Sequence, residues 1–379
     1  MALNGHLARS DPCPLSGEQR TSNIGCLSLL LTHCGPWVAW IGVRNGLRSM
    51  QGDRPVKRRE FIALVGGAVA WPKIALAQLS GRTRRVGVLF ALPENDPQAQ
   101  SRLAVFRSEL RKLGWADLTI EARYVALNDA ATRERYAREL VALQPDLILS
   151  QTTDTTEALL KETRTIPIVF TIVGDPVGRG FVESFPRPGR NVTGFITAEP
   201  SMGGKWLEML REVAPDIARV LVPFNSSTAE YYFDSLKVTA SRLGIDASFT
   251  FVRDVSELET TVAAYAREPH GGLIVMPDAY ITGHRIEMTA LAARHRLPAV
   301  YAYRFFADSG GLLSYGSDLL DNFRRAAIYA DRILKGEKPG ELPVQAPEKF
   351  ELVINLKAAR ALGLDVSPSL LARAHEVIE

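Results

Sequence analysis

From Arg84 onward, short apolar runs alternate with stretches in which apolar residues recur every three or four positions. The run 86–92 (VGVLFAL) is almost wholly apolar, as expected of a strand covered on both faces. In 98–114, Leu103, Phe106, Leu110 and Leu113 fall at helical spacing and a glycine closes the segment. The alternation predicts strand 118–125, helix 131–143, strand 146–151, helix 154–164 and strand 166–173, then a Gly/Pro-rich loop to Asn191. A second series follows: helix 201–214, strand 218–225, helix 228–243, strand 245–252, helix 255–267, strand 272–277, helix 282–296 and strand 298–304. Strands separated by single helices imply βαβ units and parallel sheets.

Two such series exceed one comfortable core and imply an α/β protein of two doubly wound lobes. The tail supplies strand 312–315, an amphipathic helix 318–335, a turn-rich connector 336–343 and strand 350–356. We read these as crossings between lobes that form the hinge of a closing cleft. The expected N-terminal lobe is 84–196 plus 306–340, and the C-terminal lobe 197–305 plus 341–379.

Residues before this body read as an address. Lys57, Arg58 and Arg59 give a basic start, Phe61 to Trp71 an apolar core too short to span a bilayer, and Ala75-Leu76-Ala77 a small-x-small cleavage pattern. Residues 50–77 are therefore expected to be a cleaved export signal of twin-arginine type, with Gln78 as the mature N-terminus and the periplasm as the destination. Sec export stays open. Residues 1–49 lack a helix or strand period, and we expect translation to begin at Met50.

Composition adds exclusions. All three cysteines, Cys13, Cys26 and Cys34, precede the signal, so the body has no disulfide, thiolate metal site or cysteine nucleophile. The net charge of +3 comes without a basic cluster interleaved with aromatics, which argues against nucleic-acid binding. His270, His284, His295 and His375 lack metal-ligand spacing, and neither a nucleophile elbow nor a Walker loop is present. No cofactor, metal or catalytic set is expected.

Ligands of open α/β sheets sit beyond the carboxyl ends of the strands. Those positions are 91–96, including Leu92, then Ser150, Gln151, Thr152 and Thr153, then Asp175 between Gly174 and Pro176. In the second series they are Asn225 with Ser226 and Ser227, Asp278, and Tyr301 with Tyr303. The hydroxyls of 150–153 open a helix and suit a carboxylate, or they are a plain N-cap. Asp175 suits an ammonium group, or it orders its own turn. Asp278 is the second acidic candidate. Tyr301 and Tyr303, two apart, would share a face and wall an apolar ligand, or belong to the core.

Five runs carry a resemblance: 166–170 (IPIVF), 173–178 (VGDPVG), 188–194 (PGRNVTG), 291–298 (LAARHRLP) and 350–356 (FELVINL). Together they resemble the ABC transporter substrate-binding family that includes tryptophan/tyrosine-type binding proteins. The resemblance covers nearly all of 57–379; the leader before Met50 departs from it. It implies a type I periplasmic-binding-protein fold, a small-molecule ligand (an amino acid or an aromatic compound), an ABC permease as partner and no catalysis. A monomer is expected. The combined expectation is a zwitterion cleft: carboxylate on 150–153, ammonium on Asp175 or Asp278, side chain on the tyrosines. A periplasmic sensor for a membrane receptor and an α/β enzyme are the competing readings; a DNA-binding repressor is disfavoured, since its helix-turn-helix would stand where the signal lies.

Overall fold

The computed structural model describes residues 83–126, 129–225 and 228–379. The chain divides into two units, Met1–Leu76 and Ala77–Glu379, and the described residues fall in the second. The leader, the export signal and the cleavage site lie outside them, as do Ser226 and Ser227.

The first part of the body runs β1 (Arg85–Phe90), α1 (Pro97–Lys112), β2 (Thr119–Tyr124), α2 (Ala130–Ala142), β3 (Leu147–Gln151), α3 (Thr153–Glu162), β4 (Ile168–Val173) and β5 (Val192–Ile196). These strands form one sheet in the order β2-β1-β3-β4-β5, parallel throughout. The second part runs α4 (Met202–Val213), β6 (Arg219–Phe224), α5 (Phe233–Leu243), β7 (Asp246–Phe251), α6 (Val255–Tyr265), β8 (Gly271–Val275), α7 (Ala279–Gly283), α8 (Arg285–Arg294), β9 (Ala299–Tyr301), α9 (Arg304–Asp308) and β10 (Leu313–Ser317). After α10 (Leu319–Leu334) come β11 (Phe350–Asn355), α11 (Leu356–Leu362), α12 (Pro368–Leu371) and β12 (Glu376–Ile378). The second sheet has the order β12-β11-β10-β9-β8-β6-β7. It is parallel except where β11 returns antiparallel beside β10.

Burial explains these assignments. Every residue of β3, β4, β5 and β8 is buried, which is why these runs are apolar without alternation. Two long helices start on side-chain caps: the Asp96 carboxylate accepts from Gln98 N at 2.7 Å with proline opening the helix, and Asp318 accepts from Leu320 N at 2.9 Å. One face of the first sheet packs Leu89, Ile148 and Phe170 against Leu140 and Leu159 as a core of its own. On the other face Phe90 stacks on Phe323 of α10 at 6.0 Å, in a core continuous with that of the second lobe.

The chain passes between the sheets at 197–201, at 317–318 and at 343–349. The passages are tied to one another: Ser317 Oγ donates to Thr197 O at 2.9 Å, Asp318 N to Lys349 O at 3.0 Å, and Gln345 N to Gly194 O at 3.0 Å. Gly316 is needed here, because a Cβ would stand 1.8 Å from the Ala302 carbonyl oxygen.

Three expectations are corrected. Residues 306–317 do not belong to the first lobe, because β10 pairs with β9 and β11; the return begins at Asp318. The strand expected over 298–304 ends at Tyr301, since Tyr303 already caps α9. The helix expected over 282–296 is broken at His284 into α7 and α8.

Candidate functional site

The carboxyl ends of both sheets face one cavity. From the first lobe it is lined by Ala91, Leu92, Gln151, Thr152, Thr153 and Ile172, and from the second by Pro277, Asp278, Thr282 and Tyr303. Arg102 on α1 and Asp154 in the first turn of α3 also line it, and Thr197 and Leu319 contribute from the crossings.

The backbone at these strand ends is strained. Ile172 has φ 57° and Thr152 φ 83°, both in the left-handed region that side chains avoid, a branched side chain most of all. Ile172 forms a bulge where the register between β4 and β5 shifts, and it joins the cavity wall. A residue of this type holds such a conformation only where its surroundings impose it, and such sites cluster at ligand clamps.

The expected residues divide into two sets. Leu92, Gln151, Thr152, Thr153, Asp278 and Tyr303 are brought together around the cavity. Gln151 is held by Ala91 N, which donates to its Oε1 at 3.2 Å, and Thr153 Oγ1 accepts from Gly174 N at 3.2 Å. Ser150 lies beneath the floor, fully buried, its hydroxyl 2.9 Å from those of Thr155 and Thr156. Of the carboxylate pocket expected over 150–153, the Ser150 hydroxyl is thus spent inside the fold, while Gln151, Thr152 and Thr153 stay on the cavity lining.

Asp175 is outside the cavity lining. Its φ is 47° and its carboxylate accepts from Gly178 N at 2.8 Å, so it orders the turn after β4. Asn225 turns its side chain toward β7, donating to Val252 O at 2.7 Å, and only its backbone N–H reaches Asp278. Tyr301 points into the core, stacked on Phe306 at 4.9 Å, whereas the Tyr303 hydroxyl lies 3.1 Å from Thr197 Oγ1. The two tyrosines do not share a face because the strand ends between them.

Asp278 is the acidic group at the second lobe's strand end. It is 4% exposed; its Oδ2 accepts from Asn225 N at 2.8 Å and its Oδ1 from Ile281 N at 3.0 Å. These bonds fix the carboxylate at the strand end, where it lines the cavity. Tyr303 feels Asp278 and Arg102 together, and burial pushes its phenol up to about 12. It stays neutral at physiological pH.

Arg102 escaped the reading of the strand ends. It is 1% exposed, and its Nε has no hydrogen-bond partner among the described residues. Burial pushes its pKa down to about 10, which leaves it charged near neutrality. The signal was available: Arg102 stands three residues after Ala99 and four before Phe106, on the apolar stripe of α1.

The lobes meet across this cavity. Arg285 on α8 contacts the Asp96 carboxylate at 3.2 Å, and both side chains are mostly buried. Among the described residues, no cluster of three or more potential metal ligands occurs, and no helix is long and apolar enough to cross a membrane.

Comparison with known proteins agrees with this architecture. The family described as ABC transporter substrate binding protein matches residues 105–378. A curated relative, a tyrosine-binding protein from Clostridioides difficile (strain R20291), is 27% identical over 241 residues, 63% of this chain and 69% of that one. A conserved domain protein from Vibrio cholerae O1 biovar El Tor has a solved structure 27% identical in sequence, with a TM-score of 0.73, covering 78% of this chain and all of that one. An ABC domain from Streptococcus pneumoniae, solved in complex with L-Trp, is 23% identical with a TM-score of 0.72 over 78% of this chain and 100% of that one, and shares the fold.

Proposed function

Since the chain belongs to the ABC transporter substrate binding protein family, we propose that it is the exported receptor of an importer, capturing a free amino acid between its lobes and presenting it to a membrane permease. The observation that carries this is the cavity itself, which draws its lining from the strand ends of both sheets and from the crossings between them. A ligand held there touches both lobes, so its binding energy favours the closed arrangement over the open one, and a partner that reads the closed form receives the signal. The hinge supports this. Three short passages tied to one another by hydrogen bonds would allow rotation without unravelling either sheet.

The amino-acid assignment draws on the polar groups of the cavity and on the tyrosine- and tryptophan-binding relatives. The apolar surfaces of Leu92, Ile172, Pro277 and Leu319 would meet the ligand's side chain. Leu92 and Pro277 follow strands β1 and β8, so each lobe supplies part of this wall.

Export and transport are tested in the native cell. The expected result is a protein in the osmotic-shock fluid that begins at Gln78, and a deletion strain that loses uptake of one labelled amino acid. A protein kept in the cytoplasm with its leader intact, and a deletion that leaves every amino-acid uptake rate unchanged, would contradict the reading.

A further inference from the structure

We propose that Arg102 is the anion anchor of the cleft and that the ligand's carboxylate completes its hydrogen bonding, an assignment that rests on the receptor reading given above. An unpaired charge is costly in a protein interior, and the helix face on which Arg102 sits would accept a leucine or methionine without that cost. The guanidinium is nevertheless buried to 1% exposure on the lining of the cavity, with its Nε lacking any acceptor among the described residues. A group so placed is stabilised when a ligand brings the missing acceptor.

The surrounding charges define the class of that ligand. Arg102 lies within electrostatic reach of Asp96, Arg285 and Tyr303. Asp96 is already engaged, by Arg285 at 3.2 Å and by Gln98 N at 2.7 Å. Arg102 is therefore left without a carboxylate of its own in this group, and a single guanidinium on a lining that also carries Asp154 and Asp278 suits a monoanion better than a dianionic phosphate. A planar guanidinium also matches a carboxylate in shape, offering parallel N–H donors.

Asp278 supplies the opposite pole. Tyr303 lies within electrostatic reach of both Arg102 and Asp278, and all three line the cavity. Arg102 comes from the first lobe and Asp278 from the second. A zwitterion with its carboxylate on Arg102 and its ammonium on Asp278 spans the cleft through its own two charges. Closure would then require both, and neither the amine nor the acid alone would close the lobes as well. This moves the carboxylate's charged partner from the 150–153 segment, which offers neutral groups and whose Ser150 hydroxyl is spent internally, to a residue on α1.

Calorimetric titration of the full chain tests the assignment with L-tyrosine, L-tryptophan, their decarboxylated amines tyramine and tryptamine, and neutral sugars. The wild-type protein is expected to bind at least one of the amino acids and its matched amine about a hundredfold more weakly, as for loss of one partner of a buried charged pair. Arg102→Met is expected to lose affinity for that amino acid by about a hundredfold or more while its ligand-free melting temperature holds or rises. Arg102→Lys should restore part of the affinity. If Arg102→Met proves poorly folded, the comparison of acid and amine on the wild-type protein decides. Equal binding of amino acid and amine, or an Arg102→Met affinity within about threefold of wild type, would overturn the anchor and leave the receptor reading standing. Binding of neutral sugars alone would overturn it as well. A wild-type protein that binds none of these solutes would count against both.

Discussion

Replacing Trp206 by alanine is expected to cost about 3–5 kcal/mol of folding stability, the range for truncating a fully buried large aromatic. The side chain is 1% exposed, packs edge-on against Tyr232 at 5.2 Å and donates from Nε1 to the Tyr315 carbonyl at 2.6 Å. Its position makes the loss functional as well as structural. Helix α4 follows the first crossing, and Tyr315 lies in β10 just before the second. Trp206 therefore pins two of the three passages to the second lobe, and its removal should soften the hinge along with the core. Denaturant unfolding measures the first effect, from the shift in midpoint at unchanged slope. A loss below about 1 kcal/mol would show that the site collapses around the missing ring and that this contact does not anchor the hinge.

The second large effect is expected at Asp278. Alanine there removes the acceptors of Asn225 N and Ile281 N, a cost of about 1–2 kcal/mol in stability for a lost cap and a buried donor left unpaired. Amino-acid affinity should fall by about ten- to a hundredfold, because a buried charge-assisted bond to the ammonium disappears. Asp278→Asn separates the two roles. The amide keeps one acceptor oxygen, for the cap on Ile281 N, and loses the other acceptor with the charge, so stability should fall no further than in the alanine variant while affinity falls as far. Titration calorimetry beside a melting curve reads both quantities. An asparagine variant that binds as tightly as the wild type would reduce Asp278 to a helix cap.

What the sequence made legible follows from how each element is buried. Strands such as 147–151 and 168–173 are covered on both faces, so their apolar runs identify them without reference to anything distant. The tail was harder to read. Strand β12 has three residues and exists because it pairs with β11, and α9 replaced the end of an expected strand because Phe305 and Phe306 turn into the core. Such elements are set by tertiary pairing, which local periodicity does not carry.

The site shows the same division. Strand-end positions found Gln151, Thr152, Thr153, Asp278 and Tyr303, since topology alone places strand ends at the cleft. The rule gave no means of telling Asp278, which faces the cavity, from Asp175, whose carboxylate turns back to its own loop at a positive φ. It also passed over Arg102, which reaches the cavity from a helix, and Ile172, which a bulge turns onto the wall. The helix stripe contained the evidence for Arg102; the bulge had no local signature.

Closure of the two lobes on a free amino acid is read by a thermal-shift titration of the full chain against amino acids, aromatic acids, sugars and nucleosides. A ligand at a hundred times its dissociation constant stabilises the folded state by about 2.7 kcal/mol, enough to raise the melting temperature visibly. Such a rise is expected for at least one L-amino acid, saturating at one ligand per chain, and none for sugars or nucleosides. A protein that melts cooperatively at the same temperature with every amino acid would contradict it.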